Sequence, residues 1–230
     1  MLWLLTQIQT VSFADLAPLL PRISPERRER ITQMRVEASR VESALAELLL
    51  RHALKEECGV DELPPVYTTG RGKPYFQGHP ELQFNLSHCK LAVACALDRS
   101  ELGVDVQECR ALLRRFGRKG EDRALPAIFR VLSDPERAWV LAGGPYEQDR
   151  RFTAVWTCKE AYGKAVGRGI LYQLSGKSFL PAEEPWQQYG YTFQHYDLGD
   201  AFATLCAART LPVRILTAEA FLREQTEETT

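Results

Sequence analysis

Glu160 and Lys164 stand four residues apart in FTAVWTCKEAYGKAVGRGI, residues 152–170. At about 100° per residue this stretch reads as a helix. Its apolar stripe is Phe152, Val155, Cys158, Tyr162 and Val166, and the acid and the base share another face. The chemistry such a pair offers is a carboxylate that acts as a base or cation ligand and an ammonium that meets an anion. Alone it reads equally well as a helix-surface ion pair in the favourable Glu-before-Lys order, which contributes little. Lys159 falls among the apolar positions, so it must snorkel along its stem or find an anionic partner. The Gly167-Arg168-Gly169 turn ends the helix.

Other residues of the same chemical kind lie upstream. Asp105 sits inside a strand-like run, LGVDV at 102–106, where an acid among valines needs a reason; a lone exposed residue on a half-buried strand is the alternative. Ser87-His88 ends the alternating stretch Leu82, Phe84, Leu86, and His88 alone reads as an ordinary hydrogen-bonded turn residue. Gly70-Arg71-Gly72-Lys73-Pro74 is a tight turn. The basic run 109–123, with Arg110, Arg114, Arg115, Arg118, Lys119 and Arg123, is a solvated face or a docking surface for an acidic partner.

The elements that position these groups follow from capping and periodicity. Residues 1–8 read as a first strand, without the basic lead or cleavage site of a signal peptide. Ser24-Pro25-Glu26 starts a short helix over 25–37, with serine as N-cap. Ser39-Arg40-Val41-Glu42 has capping-box spacing and opens a long core helix that Gly59 closes. Residues 91–97 and 201–207 are buried strands of similar size pattern, LAVACAL and AFATLCA, and the order helix, strand, strand recurs loosely. Ser133-Asp134-Pro135-Glu136 caps a further helix, Gly143-Gly144-Pro145 breaks the chain, and the polar tail 224–230 frays.

Composition sets bounds on function. With 230 residues, 45% hydrophobic and 26% charged, at a net charge of −1, this is an ordinary globular chain. The near-neutral balance argues against a dedicated nucleic-acid binder, and no run reaches the ~18 apolar residues of a membrane span. Six cysteines without CxxC spacing, and no export signal, read as reduced thiols of a cytoplasmic protein.

The order and spacing of the motifs are far more specific than any one of them. Gly72-Lys73-Pro74, then Phe84-Asn85-Leu86-Ser87-His88, Gly103-Val104-Asp105 and Trp156-Thr157-Cys158-Lys159-Glu160-Ala161 with Lys164, resembles the 4′-phosphopantetheinyl transferases of the surfactin-synthetase-activating (Sfp) type. The likeness extends to Ser24-Pro25-Glu26-Arg27-Arg28-Glu29-Arg30 and to Ser133 and Glu136. It implies an α+β fold of two similar halves, 1–102 and 103–230, each a small antiparallel sheet on a long helix, with the active site in the cleft between them. It implies a monomeric enzyme that moves the phosphopantetheine arm of coenzyme A to a serine of an apo acyl or peptidyl carrier protein and releases adenosine 3′,5′-bisphosphate.

Carried across residue by residue, the resemblance gives Mg²⁺ to Asp105 and Glu160, the pyrophosphate to Lys164 and a phosphate to His88. It puts Lys73 and Ser87 near the adenosine part, and Arg27, Arg28 and Arg30 around its 3′-phosphate. Phosphoryl transfer needs positioning and charge neutralisation, and these residue types supply both. Glu160 is also a candidate base, directly or through a metal-bound water, with Lys164 expected to favour its ionised form.

One position departs from the family pattern. Gln107 stands where Gly-Val/Ile-Asp-x-Glu has its second acid, so the expected metal site loses a negative charge while keeping an amide oxygen. Glu108 is no substitute, because in a strand it faces away from Asp105. Asp105, Glu160, the pyrophosphate and waters are expected to suffice, since Mg²⁺ needs only one or two carboxylates.

Overall fold

Four apolar runs, LWLL, AVACAL, LGV and AFATLCA, have no polar face to turn to water and must be covered on both sides. The computed structural model describes residues 1–70, 72–110, 131–167 and 176–227. The elements of the first half are β1 (Leu2–Thr6), α1 (Pro25–Gln33), α2 (Glu37–Cys58), β2 (Val66–Thr68), β3 (Pro74–Phe76), β4 (Gln83–Cys89) and β5 (Ala92–Asp98). Then come β6 (Leu102–Glu108), α3 (Asp134–Leu141), α4 (Pro145–Ala165), β7 (Trp186–Gln188), β8 (Tyr191–Asp197), β9 (Ala201–Ala207), β10 (Val213–Thr217) and α5 (Ala218–Glu227). Among the described residues no helix is long and apolar enough to cross a membrane.

These elements form two four-stranded sheets, ordered β10-β1-β5-β4 and β6-β9-β8-β7, with β2 and β3 as a separate hairpin. Strand, long helix and antiparallel hairpin occur twice, as β1–α2–β4–β5 and β6–α4–β8–β9. In each half the first strand pairs antiparallel with the last. The loose repeat of LAVACAL and AFATLCA is therefore topological: β5 and β9 occupy equivalent places in the two sheets. This is the α+β arrangement of small sheets on long helices that the resemblance implies.

Alternation divides each strand between two cores. Trp3, Leu5, Val93 and Cys95 face Leu45, Leu48 and Leu49 of α2, while Leu2, Leu4, Ala94 and Ala96 face Val104, Val106, Ala203 and Leu205 of the second sheet. On the far side, Cys158, Ala161, Tyr162 and Ala165 of α4 pack on Phe193 and Cys206. The layers thus run α2, sheet, sheet, α4. The last strand crosses the expected boundary between halves: β10 lies parallel to β1, Leu2 opposite Val213, and Phe221 of α5 enters the α2 core.

Local details differ from expectation at several helix ends. The first helix stops at Gln33, and α2 begins at Glu37 with Val36 as its N-cap, so Ser39 lies inside the helix and forms no capping box. Ser24 sits at the N-cap of α1, but its hydroxyl donates to Glu47 Oε2 (2.8 Å). The helix carrying Glu160 starts at Pro145, straight after the glycine pair. The tail is helical to Glu227, with Gln225 buried, because its apolar side faces α2 and β1. The Ser133–Glu136 capping box is present.

Candidate active site

Gly103 decides how closely α4 approaches β6. A Cβ at this position would stand 2.8 Å from Lys164 Cβ, and nearer still to the Ala161 carbonyl and the Ala165 amide. Only glycine admits the helix here. Asp105, two residues on, shares that face of β6, and Glu160 and Lys164, one helical turn apart, come down to it.

Lys164 Nζ donates to Asp105 Oδ1 (2.7 Å), the Val104 carbonyl (2.9 Å) and Ser87 Oγ (3.0 Å). Ser87 in turn donates to Asp105 Oδ1 (2.9 Å) and accepts from the Val106 amide (3.2 Å). Asn85 Oδ1 accepts from the Val104 amide (2.9 Å). Edge amides of β6 that would otherwise need a neighbouring strand are thus satisfied by side chains of β4, which stitches the two halves together at this point. Asp105 Oδ2 is buried and makes no hydrogen bond among the described residues, so one carboxylate oxygen is left for a ligand.

Burial, and then the charge of Asp105, push the Glu160 carboxyl up to about 7, while Lys164 pulls the other way without prevailing. Lys164 does favour the ionised form, as expected, but its ammonium is turned to Asp105 and its pull is outweighed. Two acids that repel each other, one of them with a free buried oxygen, suit a divalent cation. Among the described residues no cluster of three His, Cys, Asp or Glu side chains is present, so such a cation would draw on two acids. Gln107, partly buried, lies on Asp105's face of β6, whereas Glu108 faces away and pairs with Arg110 (2.7 Å).

The other expected site residues divide between the two sides of β4. Ser87 faces β6. His88, its neighbour, turns to the opposite face, where Nδ1 lies 2.9 Å from Glu42 Oε2 of α2. Arg27 is held by Glu47 (3.4 Å) and donates to Ser43 Oγ (3.3 Å); Arg28 and Arg30 are exposed on α1. Lys73 Nζ donates to the Ala165 carbonyl (3.1 Å) at the C-terminal end of α4, where a cation is favoured, and burial lowers its pKa. Of the basic run, Arg110 is exposed and residues 111–123 lie outside the described residues.

Several contributors escaped the reading of the sequence. Glu47 accepts from Ser24, Arg27 and Arg51, Glu42 holds His88, and Asn85 bridges to β6. Glu47 had a signal, an acid within the apolar face of a core helix, and so did Asn85, two residues before Ser87 and therefore on its face. Lys159 finds its anionic partner: Nζ is 2.9 Å from Glu136 Oε2, with both side chains fully buried.

Comparison with known proteins agrees with this geometry. A family model described as the 4′-phosphopantetheinyl transferase superfamily matches residues 101–206, the span that holds Asp105, Glu160 and Lys164. The chain is 29% identical over 216 residues to the 4′-phosphopantetheinyl transferase psf-1 of Bacillus pumilus, covering 89% of this chain and 88% of that one. It is 27% identical over 157 residues to 4′-phosphopantetheinyl transferase Sfp of Bacillus subtilis (strain 168), 68% of this chain and 65% of that one. To 4′-phosphopantetheinyl transferase pptA of Paxillus involutus it is 36% identical over 143 residues, 57% and 53% of the two chains. Motif order, paired half-sheets and sequence similarity thus agree in likening the chain to the 4′-phosphopantetheinyl transferase superfamily.

Proposed function

We propose that this protein transfers the 4′-phosphopantetheine group from coenzyme A to a serine of an apo acyl or peptidyl carrier protein, releasing adenosine 3′,5′-bisphosphate. The observation that carries this reading is the junction of β4, β6 and α4, where Lys164 and Ser87 hold Asp105 Oδ1, Asp105 Oδ2 is left over and the charge of Asp105 acts on Glu160. Asp105 and Glu160 would hold Mg²⁺, with the Gln107 amide oxygen on the same strand face as a further donor. The ion, when bound, neutralises pyrophosphate charge and polarises the phosphoryl oxygen.

The remaining work falls to the chain's own groups. Lys164 is pinned by three acceptors, so its charge is already oriented and costs no reorganisation when negative charge builds on the departing phosphate. Ser87 has its hydroxyl fully committed to Asp105, Lys164 and the Val106 amide, which suits it to orienting Asp105 and Lys164. Glu160 is the group suited to take the serine proton, directly or through a water, although the cation it would share with Asp105 would offset the rise that burial and the Asp105 charge give its pKa. On the α2 side of β4, His88 beside Glu42 and the α1 residues Arg27, Arg28 and Arg30 are the groups offered to the adenosine phosphates, and Lys73, at the end of α4, is the one offered to the adenosine part. The reading includes a monomer acting in the cytoplasm: all six cysteines are free thiols, as a reducing compartment keeps them.

The test is purified protein with coenzyme A, Mg²⁺ and an apo carrier domain, followed by the intact mass of the carrier. A gain of one phosphopantetheine unit supports the reading. Carriers from fatty-acid, polyketide and peptide synthesis that all stay unmodified would overturn it. Glu160→Gln is expected to abolish the gain.

A further inference from the structure

Lys159 and Glu136 are both completely buried, an unusual state for two charged side chains. Both oxygens of the Glu136 carboxylate are engaged: Oε2 accepts from Lys159 Nζ (2.9 Å) and the Ser133 amide (2.6 Å), and Oε1 accepts from the Phe179 amide (2.6 Å). Lys159 Nζ also donates to the Lys177 carbonyl (3.2 Å) and lies 5.2 Å from the centre of the Phe179 ring. One ion pair therefore joins three pieces of the second half: the first turn of α3, the body of α4 and the segment 177–179.

A buried ion pair is a poor source of stability, since apolar residues of similar size often do as well or better. What this pair supplies is direction. Lys159 precedes Glu160, so the two side chains leave α4 about 100° apart. Fixing the first inward fixes where the second points. Gly103 sets the distance between α4 and β6, the stripe Cys158, Ala161, Tyr162 and Ala165 seats the helix on Phe193 and Cys206, and the Lys159–Glu136 pair ties the same turn to α3 directly beside Glu160. A turn of ~20° at a carboxylate some 6 Å from that axis moves it by about 2 Å, enough to spoil a reacting geometry.

We propose that the buried Lys159–Glu136 pair is a positioning device that sets the rotation of α4 and so aims the Glu160 carboxylate at Asp105. This rests on the transferase reading of the Asp105–Glu160 site. Neither residue touches substrate or metal; both act through Glu160.

The test compares the native protein with Lys159→Met/Glu136→Gln, which removes both charges together and leaves no lone buried ion, and with the single variant Lys159→Met, which strands Glu136. Folding is checked by thermal melting, and two readouts follow: turnover with coenzyme A and an apo carrier, and Mn²⁺ binding titrated by electron paramagnetic resonance without substrate. The double variant is expected to melt within a few degrees of the native protein, with kcat down about 10–100-fold, KM for coenzyme A unchanged and Mn²⁺ bound at least several-fold more weakly. A folded double variant with native turnover and native Mn²⁺ affinity overturns the proposal. A native protein that neither turns over nor binds Mn²⁺ overturns the transferase reading, and the positioning role with it.

Discussion

Gly103 lies against the backbone of Ala161, so that the strand bearing Asp105 and the helix bearing Glu160 touch where neither has a side chain to spare. Gly103→Ala forces the helix off the strand. Overpacking of this kind typically costs about 1–3 kcal/mol, and displacement of Glu160 and Lys164 adds a kinetic loss of roughly 100-fold or more. Urea unfolding and single-turnover transfer measured on the same preparation check both effects.

Lys164→Met removes an ammonium with three acceptors and leaves the Asp105 charge buried against Ser87 alone. Transfer is expected to fall by about 10²–10³-fold, the usual range for loss of a preorganised electrostatic group. Most of the loss should appear in kcat. A variant within a few-fold of native turnover would show that Lys164 only ties β6 to α4.

Gln107→Glu puts a third acid on the Asp105 face of β6. The Mg²⁺ concentration for half-maximal activity is expected to drop severalfold, with kcat changed little. A magnesium titration of native and variant protein measures this directly. An inert native protein rescued by glutamate would instead mark a decayed site.

His195 provides a stability prediction in pH. Burial pulls its pKa from 6.5 down to about 4, against the raising effect of Asp197, and its ring stacks on Phe202 with Nδ1 2.8 Å from Thr204 Oγ1. Between pH 4 and 6.5 the unfolded chain therefore binds the proton that the folded one refuses. Stability is full above about 6.5 and declines as pH falls towards 4, by on the order of 3 kcal/mol from this group. Urea midpoints of native protein and His195→Asn at pH 7.5 and 4.5 isolate the effect: the drop should be smaller in the variant.

Much of the fold is legible in the residues because its signals are local. Apolar runs around Val93, Val104 and Leu205 marked strands, and Gly59 and the Ser133–Glu136 box marked helix ends. Asp105 stood out as an acid among valines. What sequence could not give was the choice of partner for each charge. Lys164 passes over the helical neighbour Glu160 for Asp105, because β6 brings a deeper acid within reach of the same ammonium. Lys159 announced a need for an anion, but only the fold selects Glu136. Ser39 shows the opposite failure: a sound local capping signal was overridden because helix entry is fixed upstream, where Glu37 reaches back to the Phe13 amide (3.0 Å).

The parallel pairing of β10 with β1 makes the first sheet depend on the far end of the polypeptide. During synthesis β1 leaves the ribosome without its outer neighbour and must wait for nearly the whole chain. A protease that nicks ahead of Val213 would bare that edge and loosen the sheet whose other margin, β4, carries Ser87 and His88. Catalysis would then fail through a cut distant from every reacting atom.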